Sequence, residues 1–206
     1  MKLTYSNDKI ASLIGSRICH DLVSPVGAVA NGLELLELSG VPNSPELSLV
    51  AESAGHASAR IRLFRLAFGD PAGAQDIKGQ SVAAILAEVY GTSRIAVSWQ
   101  APGDHARPVI RAVLLALLCV EQAMGAGGKV EIGQQAGGGW HVRAHATRLT
   151  ADPALWGLLQ GKSGPVEITP AAVQFALLPE ALRNLDMKSD VQITANTVEI
   201  AFYETL

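Results

Sequence analysis

Residues 44–70 read SPELSLVAESAGHASARIRLFRLAFGD. Within them Leu47, Val50, Ala54, Ala57, Ile61, Phe64 and Phe68 follow one another in alternating steps of three and four, a heptad seam without interruption. Ser44 before Pro45 predicts an N-cap with proline at the first helical position, and Gly69-Asp70-Pro71 predicts the stop. Upstream, about Asp8 to Leu38 carries another helical pattern, with Ser6, Asn7 or Asp8 available as cap. At 100° per residue Ile14, Ile18, Leu22, Val29, Leu33 and Leu36 gather on one face. Gly40, Pro42 and Asn43 break the pattern between the two helices. Two long helices on a short loop predict an antiparallel hairpin. One hairpin has little core, and its small seam residues let a second approach closely, so a homodimeric four-helix bundle is expected.

The composition fits that expectation. Apolar types make up 49% and charged types 17% of 206 residues, which excludes intrinsic disorder. Mean hydropathy is +0.25, yet the longest apolar run, Ala112–Val120, is far below the roughly 18 residues of a membrane span. Aromatics are only 5%, so the excess lies in small aliphatics, which suit a hidden oligomer interface. A net charge of −3 argues against a general nucleic-acid binder. Cys19 and Cys119 are a hundred residues apart in no metal-like spacing, which predicts free thiols in a reducing cytosol. The start, Met1 to Tyr5, lacks a charged-then-apolar signal pattern, so a cytoplasmic location is expected.

After the linker Pro71–Gln75 the pattern becomes mixed. Helices are predicted near Ser81–Tyr90, Arg107–Met124, Pro153–Gln160 and Pro170–Asp186. Strands are predicted at Arg94–Gln100, Lys129–Gln135, Trp140–Arg148, Val191–Ala195 and Thr197–Tyr203. The fold class is therefore α+β, with a helical hairpin over residues 1–70 and a sandwich over 76–206.

The sharpest local feature is Cys19-His20-Asp21-Leu22-Val23-Ser24-Pro25. His20 falls almost opposite the apolar stripe, and Ser16, Ser24, Gly27 and Asn31 share its face. An imidazole is thus presented on a rigid helix amid small side chains, which leave room for another protein. Pro25 inside the helix costs about 3 kcal/mol, a local rule broken beside a titratable group. An exposed histidine on a helix is also commonly plain surface, and the spacing alone leaves both readings open. A Cys19–His20 nucleophilic dyad fails because adjacent helical residues point about 100° apart. His141 and His145 would share one strand face but lack a third metal ligand nearby.

His20-Asp21-Leu22-Val23-Ser24-Pro25 resembles the phosphoacceptor box of sensor histidine kinases. The longer stretch from Ile18 to Leu36 is more similar still to bacterial histidine phosphotransferases of the ChpT family. The order of later elements is similar to that family's degenerate ATPase-like domain. A working kinase of this fold needs an Asn-bearing helix for Mg²⁺, an Asp-x-Gly-x-Gly loop for adenine and a Gly-rich lid. The matching helix, Leu114–Ala123, holds no Asn, and Arg148–Pro153 replaces the Asp-Gly loop. The Gly125–Gly128 and Gly137–Gly139 clusters lack a partnering Lys-Ser/Thr, so they are weak phosphate signals.

The resemblance implies a phosphorelay phosphotransferase, not an ATP-dependent kinase. It implies His20 as phosphoacceptor, Asp21 as its orienting partner, and Ser16, Arg17, Ser24, Gly27, Asn31 and Arg60 as docking residues. His56, Arg60 and Arg65 give the second helix a basic edge that an acidic phosphorylation pocket would favour. Donor and acceptors would be receiver domains of a hybrid histidine kinase and of response regulators, supplying their own Mg²⁺. No cofactor, metal, nucleic acid or membrane is expected for this chain itself. The alternatives are a non-catalytic dimeric adaptor that binds receivers without transfer, and an active kinase with an unusual ATP site.

Overall fold

The computed structural model describes residues 15, 22–23, 26–36, 38–39, 44–70, 75–135, 137–162 and 166–204. The chain divides into two compact units, Met1–Asp70 and Pro71–Leu206.

In the first unit, residues 22–23, 26–36 and 38 are helical and form the described part of α1. Ser39 closes this stretch, its hydroxyl donating to Leu35 O at 2.7 Å. Helix α2 spans Pro45–Phe68. The Ser44 hydroxyl accepts the Leu47 N–H at 3.3 Å, satisfying one of the free donors of the first turn. At the other end the Gly69 N–H reaches Arg65 O. A Cβ placed on Gly15 would come within 3.2 Å of Phe68 Cβ. The chain just before the candidate acceptor motif therefore meets the end of α2, as an antiparallel hairpin requires.

The seam is buried only in part. Ala54 and Ile61 are enclosed, whereas Val50 is 46% exposed and Ala57 lies at the surface. On the α1 stripe Leu22, Val29 and Leu36 are likewise exposed, while Ile14 and Ile18 lie outside the described residues. A second stripe, Ala59, Leu63 and Ala67, is fully enclosed on the opposite side of α2. Four-residue steps of Ala and Leu carry little amphipathic contrast, so this stripe gave no signal beside the heptad pattern.

The second unit contains β1 (Ile77–Lys78), α3 (Gly79–Tyr90), β2 (Ile95–Trp99), β3 (Asp104–His105), α4 (Arg107–Ala123), β4 (Gly128–Gln134) and β5 (Trp140–His145). It continues with α5 (Pro153–Leu159), a 3-10 turn at Pro170–Ala172, α6 (Val173–Arg183), β6 (Met187–Ile193) and β7 (Thr197–Glu204). Five strands form one sheet in the order β2-β4-β5-β7-β6. All neighbours are antiparallel except β2 and β4, which are parallel because α4 crosses over between them.

Alternate strand residues decide the layers. Val130, Ile132, Val142, Ala144, Val198, Ile200 and Phe202 are buried, while Lys129, Glu131, Arg143, His145 and Glu199 lie on the open face. Helix α4 packs on β5 and β7, α6 on α4 and β6, and α5 on α6. Each large apolar side chain enclosed there stabilises the fold by about 1.5–3 kcal/mol.

Element ends shift by up to three residues, as where β5 stops at His145 rather than Arg148, and three further details differ from the sequence expectation. The pairing of β1 with β3 was unread, since two-residue strands carry no periodicity. Beside it the Gly79 N–H donates to Gly103 O at 2.7 Å, and the ring nitrogens of Trp99 and His105 both approach Ala101 O, at 2.6 and 3.2 Å, fixing the turn that leads into β3. Strand β6 begins four residues earlier than predicted, because Lys188 and Asp190 are exposed edge residues that take their register from β7. The single helix expected over Pro170–Asp186 is a 3-10 turn followed by α6.

Candidate functional site

The candidate acceptor His20, with Asp21, Ser16, Arg17 and Ser24, lies outside the described residues. Gly27 and Asn31 are within the helical part of α1, with Asn31 exposed. A Cβ on Gly27 would meet nothing within 4 Å, and the same holds for Gly32. Glycine inside a helix costs about 1 kcal/mol relative to alanine. Nothing among the described residues of this chain requires either glycine, so α1 carries bare backbone without an internal packing reason.

On α2, His56 and Arg65 are exposed and Arg60 is half-buried. The Arg60 guanidinium carbon lies 5.1 Å from the Phe64 ring centroid, a cation–π contact that orients it along the helix. The Phe64 and Phe68 rings stack obliquely at 5.4 Å, extending this apolar floor.

In the second unit, α4 is the helix that the resemblance sets against the Asn-bearing helix of a kinase. From Ala112 to Val120 every α4 side chain is apolar and at most 6% exposed. A helix apolar all round belongs in a core. The polar side chains that follow this run are tied to the protein. Glu121 accepts from the Tyr90 hydroxyl at 2.6 Å, and Gln122 accepts from Gln174 Nε2 at 2.8 Å. Buried Gln174 also donates to Ala171 O in the turn before α6, at 2.9 Å, so its one amide fixes that turn and ties the start of α6 to α4. Trp156 of α5 packs edge-on against Phe175 of α6, ring centroids 5.3 Å apart. Sequence reading missed Gln174 and Trp156. The available signal for Gln174 was one amide in the otherwise apolar first half of α6.

The glycine clusters serve turns. Gly127 and Gly128 have φ of 86° and 148°, and their N–H groups donate to Met124 O and Arg94 O. Gly137 and Gly138, at φ 92° and 88°, close the β4–β5 hairpin. The donors that a phosphate cradle would use at Gly127, Gly128 and Gly138 are therefore bonded to carbonyls. Among the described residues no group of three or more His, Cys, Asp or Glu could hold a metal ion. Also among these, no helix is long and apolar enough to cross a membrane.

Cys119 is a free thiol with no exposed surface, and burial pushes its pKa well up. The raised pKa means the folded state keeps a proton that the unfolded thiol loses, so stability falls as pH rises through the ordinary thiol range. In a Cys19→Ser chain at pH 8, an absorbance assay with an aromatic disulfide should find Cys119 reacting at least roughly a thousandfold slower than in the denatured chain. Rapid labelling of the folded protein would contradict the packing of α4.

In this chain a helical hairpin is followed by a sheet covered on one face by helices. Residues 79–197 match the family model described as the histidine phosphotransferase C-terminal domain, and the chain belongs to that family. It is 48% identical over 69 residues to the protein phosphotransferase ChpT of Brucella abortus (strain 2308). That stretch spans 34% of this chain and 32% of the relative. A solved structure described as a bacterial phosphotransferase superposes with a TM-score of 0.71 at 24% identity, covering 98% of each chain, and shows the same fold.

Proposed function

We propose that this chain is a phosphorelay histidine phosphotransferase, with His20 accepting a phosphoryl group from one receiver domain and passing it to another. The reading is carried by one pairing of observations. Residues 79–197 match a histidine phosphotransferase C-terminal domain, and within them α4 offers only packed apolar side chains from Ala112 to Val120, where a kinase would need Asn.

Near pH 7 an ordinary exposed imidazole, with a pKa of about 6.5, is mostly neutral and keeps one nitrogen lone pair free. That nitrogen attacks the phosphorus of a receiver's aspartyl phosphate in line. The N–P bond forms as the P–O bond breaks, and the carboxylate leaves with the electron pair. A second receiver's carboxylate then attacks the phosphohistidine and reverses the exchange. Mg²⁺ bound by the receiver would neutralise charge on the transferring group. This chain contributes nucleophile, orientation and docking surface. Asp21 orients His20, while Ser16, Arg17, Ser24 and Asn31 line the docking face and Arg60 flanks it. Bare Gly27 gives clearance. The partners would be receivers of a hybrid histidine kinase and of response regulators, in the cytoplasm.

The test is transfer of label from a prephosphorylated receiver in the absence of ATP. Label appearing on this chain supports the reading, and strict dependence on ATP would sink it.

Dimerisation is part of the same reading. Leu35, Leu36 and Leu38 on α1 and Leu49 and Val50 on α2 are 43–78% exposed, near the turn of the hairpin. Such a cluster is costly in water and suits a second copy. Val50→Glu should weaken the dimer roughly 10–100-fold, measured by light scattering across a dilution series. An unchanged dimer would place the interface elsewhere.

A further inference from the structure

The two strands that begin beside each other, β2 and β4, share one end of the sheet with the finish of β5. An open groove of about 440 Å³ lies there, lined by residues 126–129, 145–147 and Asn196. Lys129 and His145 are directly opposed cross-strand partners, both exposed on the open face. Neither side chain takes part in a hydrogen bond or ion pair among the described residues. Their row continues to Ala96 on one side and Thr197 on the other, so it holds no acid. In the next row Glu199 is committed to Arg143 through two bonds of 2.9 and 3.0 Å, and Glu131 also faces Arg143.

More positive charge borders the groove. A Cβ on Gly127 would lie 2.8 Å from Arg94 Cβ, which brings this exposed arginine to the rim. Exposed Arg148 follows immediately after Thr147. Lys129, Arg94 and Arg148 place like charges around one groove, although this chain is net acidic. An unneutralised basic cluster is therefore a local cost with no compensation among the described residues of the fold. Asn196 Nδ2 donates to Thr147 O at 3.3 Å and holds the far rim in place.

We propose that this groove binds a compact phosphoryl anion of the polyphosphate class, held by the Lys129 and His145 side chains. The groove volume lies within the range of small-ligand sites. Gly127 and Gly128 contribute close approach rather than donors, since their N–H groups are already bonded. Among the described residues no ring but the His145 imidazole lines the groove, so they offer no platform for a nucleobase. The proposal is independent of the phosphotransfer reading, and either can fail alone.

The test is an amide NMR titration of the full chain with tripolyphosphate at constant ionic strength. Saturable shifts are expected at Gly127, Gly128, Lys129, His145 and Thr147. Lys129→Met and His145→Gln, both surface changes, should each weaken binding roughly tenfold. ATP should bind no tighter than tripolyphosphate. Absence of saturation by about 10 mM, well above ordinary ligand affinities, would overturn the proposal, as would unchanged affinity in the Lys129→Met/His145→Gln double variant. ATP binding more than about tenfold tighter would overturn it in favour of a nucleotide site. An Asp/Glu-rich peptide saturating the same amides at lower concentration would overturn it in favour of a protein dock.

Discussion

His20→Gln should abolish phosphotransfer while leaving receiver binding intact. Glutamine approximates the size and polarity of the imidazole but has no nitrogen lone pair able to form a stable N–P bond. Label passing from a prephosphorylated receiver to the chain should fall to background, a loss of at least about a thousandfold for removal of a nucleophile. Binding to the same receiver, measured by calorimetry, should change less than about threefold, because a docking face spreads its energy over several residues. The two readouts separate the candidate roles. Transfer that continues undiminished would show that another group is the acceptor. If no label moves even to the unmodified chain while binding is retained, the protein is a receiver-binding adaptor.

Val120→Asn should unfold the second unit more readily without restoring nucleotide binding. Val120 has no exposed surface and sits in the apolar run of α4. The change removes a buried aliphatic group and encloses an amide without partners, together costing about 3–5 kcal/mol. For a chain of this size the melting temperature should drop by about 8–15 °C. Calorimetric titration with Mg²⁺-ATP should give no heat of binding. A kinase site lost by one recent substitution would respond differently, with a tolerated asparagine and measurable nucleotide affinity. Here Gln174 ties α6 to α4 and Trp156 packs on Phe175, so the helix is held as core.

Much of the architecture was legible because its signals are local. Ser44-Pro45 caps α2 as expected, and the turn glycines lie where the strands needed reversals. The apolar run of α4 foretold its burial. What escaped depends on partners distant in sequence. The β1–β3 pairing has no pattern within two residues, and the polar edge strand β6 is a strand only because β7 lies beside it.

The candidate site divides in the same way. The acceptor motif around His20 is a matter of residue types and spacing, as is the lack of Asn in α4. Those the linear chain determines alone, because a nucleophile must be present before any geometry can use it. Tertiary structure alone decided that Val50 and Ala57 of the heptad seam stay exposed while Ala59, Leu63 and Ala67 on the opposite side are enclosed. It also set Lys129 opposite His145 without an acid in their row. Burial and cross-strand pairing are properties of what the rest of the chain brings alongside, and periodicity along one helix or strand does not contain them.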